Sequence, residues 1–130
     1  MNGMSRKYLF LIVLLGAILI TAGFISGSQN TVPGKATVYF FYGEECPHCH
    51  NVMPFIQNLS VKYPDVDFLI LETWHNETNK ALLISLNQKL GIQNYGVPEV
   101  IVVGNSTPLI GDRDIPTYLE GVILEQINKQ

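Results

Sequence analysis

Residues 36–50 read ATVYFFYGEECPHCH, and the fold is decided there. Ala36 to Phe41 is a run of β-branched and aromatic side chains without helical spacing, which is the pattern of a buried strand. Tyr42 to Glu45 reads as the turn after it. From Pro47 the spacing becomes helical, with Val52, Phe55, Ile56 and Leu59 three and four residues apart, and the helix is expected to end near Tyr63-Pro64. Pro54 falls inside this helix, where its ring and missing N–H predict a kink. A strand feeding through a short turn into a helix sets Cys46 at the helix start.

Working outward, Val66 to Leu71 reads as a second strand. Asn76 to Leu90 reads as a second helix, with Leu82, Leu83, Leu86 and Leu90 on its apolar face and Gly91 closing it. Val100 to Val103 is a third strand, Gly104-Asn105 a turn, and Leu109-Ile110 a short fourth strand. Asp114 is expected to cap a last helix with Pro116 in its first turn and Leu119, Ile123 and Ile127 on one face. Two strands joined through a helix pair in parallel with a right-handed crossover, and the short spacing of the last two implies a hairpin. The expected class is α/β, ordered βαβ-α-ββα, with a four-stranded mixed sheet flanked by helices on both faces.

The N-terminal part is different in kind. Tyr8 to Ile25 contains no charged residue, and as a helix its eighteen residues span roughly 27 Å, close to the ~30 Å core of a bilayer. Arg6 and Lys7 precede it, which favours a cytoplasmic N-terminus and an exported body. The run exceeds the usual apolar region of a cleaved signal, and its best small-residue site is Ser26-Gly27-Ser28. The reading is therefore a cytoplasmic stretch 1–7, a transmembrane signal anchor 8–25, a polar flexible tether 26–35, and a single domain 36–130, with cleavage as the alternative. After the apolar run, six Lys and Arg face eleven Asp and Glu, so a nucleic-acid partner is poorly supported.

The chain has two cysteines, Cys46 and Cys49. At a helix start the Cys46 sulfur faces unpaired N–H groups and the positive end of the helix dipole, which stabilises a thiolate. Pro47 suits the first helical turn because its missing N–H would have had no partner. His48 can place positive charge or a donor near that sulfur, lowering the thiol pKa and stabilising the reduced form. Cys49, one turn on, can attack a mixed disulfide formed on Cys46. Glu44 and Glu45 oppose this with negative charge that solvent screens. A purely stabilising disulfide is the bland alternative, and closing so small a loop restricts the unfolded chain by only about 2 kcal/mol.

The strand ending in aromatic residues, the Cys46-Pro47-His48-Cys49 helix start, Pro54, and Val97-Pro98 before a strand together resemble the thioredoxin superfamily over about Ala36 to Gln130. The Pro-His pair is similar to that of exported disulfide oxidases of the DsbA type. The resemblance implies that Pro98 is a cis-proline packed opposite the cysteines and that Val97 offers its backbone to an extended substrate strand. It also marks departures. The acid often found six residues before the nucleophile is Phe40 here, with Glu72 a speculative substitute. The aromatic residue often found just before the nucleophile is Glu45, and the segment before Val97 is too short for the helical insertion of the DsbA type.

Two rival chemistries use the same residues. Cys46-x-x-Cys49-His50 matches the c-type haem attachment pattern, with His50 as axial ligand and His75 the remaining candidate for the second position. Cys46, Cys49, His50 and His75 also have donors suited to zinc or copper. Asn58, Asn76 and Asn105 open N-x-[ST] patterns, compatible with glycosylation. The reading preferred over these is a membrane-tethered, extracytoplasmic thiol–disulfide oxidoreductase needing no cofactor beyond its own redox-active disulfide and no metal. Its partners would be protein thiols and a membrane redox protein.

Overall fold

The computed structural model describes residues 35–129. The expected cytoplasmic stretch 1–7, the anchor 8–25 and all of the tether except Lys35 lie outside the described residues. Among the described residues no helix is long and apolar enough to cross a membrane.

The order is β1 (Thr37–Tyr42), α1 (Pro47–Lys62), β2 (Asp67–Glu72), α2 (Glu77–Leu90), β3 (Glu99–Val102), β4 (Leu109–Ile110) and α3 (Gly111–Asn128). One four-stranded sheet runs β2-β1-β3-β4. β1 is central, parallel to β2 with Val38 opposite Phe68, and antiparallel to β3 with Phe40 opposite Val100. β3 and β4 form the expected antiparallel hairpin.

Alternation along β1 sorts its side chains between two cores. Val38 and Phe40 face α1 and α3, where they join Val52, Ile56, Leu59, Ile115, Leu119 and Ile123 in the larger buried cluster. Phe41 faces the other way, with Leu83 of α2 and Ile101 of β3, and Tyr39 and Leu71 pack at its margin. Helices thus cover both faces, α1 and α3 on one and α2 on the other. Glu120 of α3 ties down the end of α1, accepting from Lys62 Nζ at 2.6 Å and from the Tyr63 hydroxyl.

Local chemistry accounts for the helix ends. Asn76 caps α2 by accepting the N–H of Asn79 at 3.0 Å, and Gly91 closes it at φ 71°, a left-handed conformation that suits glycine. α1 continues through Pro54 as one helix to Lys62. The expected cap of the last helix at Asp114 is wrong by four residues, the helix being preceded instead by Ile110. Gly111 turns the chain at φ 92° directly out of β4, and its N–H donates to the Pro98 carbonyl at 2.9 Å. Asp112 and Asp114 then fall within the first turn, where their charge suits the helix dipole, and Pro116 lies further inside.

Phe40 is completely buried beneath α1 and α3. Phe40→Ala is expected to cost about 3–5 kcal/mol in urea unfolding. A loss below ~1 kcal/mol would place this side chain outside the core.

Candidate active site

Cys46 is the N-cap of α1, and its sulfur accepts the N–H of Cys49 at 3.2 Å, a position where a serine or aspartate oxygen more commonly sits. The Cys46 carbonyl accepts the N–H of His50 at 3.2 Å, and the Cys46 N–H donates to Gly43 at 3.2 Å, so both sides of the residue are fixed by backbone. Pro47 occupies the first turn. Cys46 and Cys49 form a disulfide with their Cα atoms 5.2 Å apart, and both residues are buried. A thiolate released at Cys46 would face the N–H groups at the helix start, which favour negative charge.

The Val97–Pro98 peptide bond is cis. The Val97 carbonyl oxygen lies 3.9 Å from the Cys46 sulfur, so the structure brings Val97-Pro98 and the cysteine pair together. Behind this loop sits a residue that sequence reasoning did not single out. Glu99 is fully buried, accepting from Asn87 Nδ2 at 2.7 Å and from the Gly96 N–H at 3.1 Å. Burial pushes its carboxyl above the ordinary range, against the pull of those two donors. Glu99 pairs across the sheet with Phe41, which places it on the α2 face while Phe40 faces α1. It therefore anchors the loop to α2 from the side of the sheet away from α1.

His48 has a partner other than the sulfur. Its Nδ1 donates to Asp112 Oδ2 at 2.7 Å, and Asn51 Nδ2 donates to the same oxygen at 3.1 Å. These two donors hold the Asp112 carboxyl below its ordinary value. The ring is thus drawn toward α3 by Asp112. Nothing local in the sequence links residues so far apart.

Glu45 and Glu72 are also committed elsewhere. His75 Nε2 donates to the two Glu45 oxygens at 2.7 and 3.0 Å. Glu72 accepts the N–H groups of Trp74 at 2.6 Å and His75 at 2.9 Å. Desolvation pushes the Glu72 carboxyl up, but the N–H groups of His75, Trp74 and Glu44 outweigh it and hold it down. Both Glu72 oxygens are thus engaged by backbone N–H groups of its own loop. The loop it organises carries Trp74 against Gly43, where a β-carbon would overlap the indole. An aromatic side chain therefore does flank the turn into Cys46, supplied by a distant segment. Trp74, Thr73, Leu83, Ile84, Tyr95 and Val97 line a groove beside the cis-proline loop.

The rival chemistries find no common centre. The two sulfurs are bonded to each other, His50 Nε2 donates to the Glu44 carbonyl at 2.6 Å, and His75 is paired with Glu45.

No family model and no curated protein matches the chain. Solved structures do. It is similar to thioredoxin f from spinach chloroplast, at 27% identity and TM-score 0.55, over 72% of this chain and 71% of that one. It is similar to a thioredoxin from Nicotiana alata, at 25% identity and TM-score 0.51, over 71% and 73%. The thioredoxin of Fasciola hepatica aligns at 20% identity and TM-score 0.53, over 72% and 82%. The described domain is thioredoxin-like, and that fold with a disulfide-forming cysteine pair supports thiol–disulfide oxidoreductase activity.

Glu45 raises the pKa of His75 by hydrogen bonding and by charge. A histidine raised on folding contributes stability that is complete below its unfolded value of about 6.5 and fades as pH climbs through the folded value. In an NMR titration His75 is expected to titrate above free histidine, and Glu45→Gln to bring it down. Coincident curves for the two proteins would dissolve the ion pair.

Proposed function

We propose that this chain is a membrane-tethered, extracytoplasmic oxidoreductase that exchanges disulfides with protein thiols. The observation that carries the reading is the Cys46 sulfur at the N-cap of α1, taking the Cys49 N–H, with the Val97 carbonyl alongside. Cys46 is the nucleophile and Cys49 the resolving thiol. Val97, next to the cis-proline Pro98, is the edge on which an extended substrate segment docks. Pro47 starts the helix without wasting a donor, and His48, oriented by Asp112, sets part of the local field.

The mechanism follows from these positions. In the oxidising direction a substrate thiolate attacks the Cys46 sulfur, the Cys46–Cys49 bond breaks with Cys49 leaving as a thiolate that takes up a proton, and a mixed disulfide forms between Cys46 and the substrate. A second substrate thiol then displaces Cys46, whose thiolate the helix start stabilises as a leaving group. In the reducing direction the Cys46 thiolate attacks a substrate disulfide and Cys49 resolves the adduct. A membrane redox protein would recharge the pair. The apolar run 8–25 behind Arg6 and Lys7 supports attachment to the membrane with the domain outside.

Two measurements test this. Cys49→Ser in the full chain is expected to accumulate mixed disulfides with other proteins on non-reducing gels, and Cys46→Ser to lower exchange to background. Full activity in Cys46→Ser would end the assignment. In intact cells a membrane-impermeant maleimide is expected to label the reduced pair without lysis, and labelling only after lysis would refute the placement.

A further inference from the structure

Beside the disulfide, on the α1 side, Cys49 opens into a small apolar cavity lined by Tyr42, Glu44, His50 and Met53. Cys49 is 1% exposed, so its thiol must ionise away from bulk water, where burial disfavours the thiolate. The position that would hold a buried acid is Phe40, and Glu99 lies on the other sheet face. His50 shares the cavity. Its Nε2 lies 2.6 Å from the Glu44 carbonyl oxygen, which can only accept, so Nε2 carries the hydrogen and Nδ1 keeps its lone pair. The residue is exposed, so a proton taken on Nδ1 can pass to solvent.

We propose that His50 is the general base for Cys49, the proton acceptor through which the resolving thiol is activated. This rests on the thiol-exchange reading above. In the resolving step the Cys49 S–H gives its proton to His50 Nδ1, and the sulfur's electron pair attacks the Cys46 sulfur. The bond between Cys46 and the substrate sulfur breaks, the Cys46–Cys49 disulfide forms, and the substrate leaves as a thiolate that takes up a proton. The cysteine pair is oxidised and the substrate sulfur reduced. In the reverse direction the imidazolium returns the proton to Cys49 as it leaves. The other titratable groups lining the cavity are Tyr42 from β1 and Glu44 from the turn. A phenol is a proton donor rather than an acceptor toward a thiol, and a carboxylate is intrinsically a weaker base than an imidazole.

Ellman's reagent on the reduced full-length chain separates the steps. The first nitrothiobenzoate released reports attack by Cys46 and scales with reagent, while the second reports attack by Cys49 and does not. His50→Gln is expected to slow the second release on the order of 100-fold near neutral pH and to leave the first within about twofold. The deficit should shrink steadily as pH rises and the thiol comes to ionise without a base. In His50→Ala, added imidazole should restore the second release, and Tyr42→Phe should behave as wild type. An unchanged second release in His50→Gln overturns the proposal, as does a slowing indifferent to both pH and imidazole. Loss of the first release in the wild-type chain would instead overturn the exchange function itself.

Discussion

A sulfur atom does here what a capping oxygen does in most helices. By accepting the Cys49 N–H, the Cys46 side chain satisfies one of the orphan donors at the start of α1 and places itself where those donors converge. The same contact that begins the helix thereby prepares the nucleophile. It requires the helix to start at Pro47, and the tight link from Gly43 to Cys46 leaves little freedom in that position.

Everything around that point holds it still. α1 is pinned to α3 at both ends, through Asp112 with His48 and Asn51 near the cysteines and through Glu120 with Lys62 and Tyr63 at the far end. The cis-proline loop is braced twice, by Glu99 toward α2 and by the Gly111 N–H on the Pro98 carbonyl. Glu99 is an uncommon choice, because an ionisable side chain is costly to bury unless its oxygens are met by donors. Both oxygens are met, and those donors belong to the segments that define the loop.

Elements whose causes lie within a few residues were legible in the sequence. The strand at ATVYFF, the helix beginning at Pro47, the second helix from Asn76 and its Gly91 stop all follow from local pattern and agree within a residue or so. Asp114-x-Pro116 looked like a helix start by the same rules and was not one, because the turn belongs to Gly111 and its bond to Pro98. The site divides similarly. The cysteine pair is local and was found, whereas Asp112 as the partner of His48, Glu99 behind Pro98 and Trp74 over Gly43 join segments that only the fold brings together. Local periodicity carries no record of such pairings.

Trp74 is the one tryptophan of the chain, and its indole rests on Gly43, three residues before Cys46. Whatever displaces that turn also changes the surroundings of the protein's sole indole fluorophore. The molecule therefore carries an intrinsic optical gauge at the doorstep of its sulfur chemistry, and no dye or label is required to follow the turn.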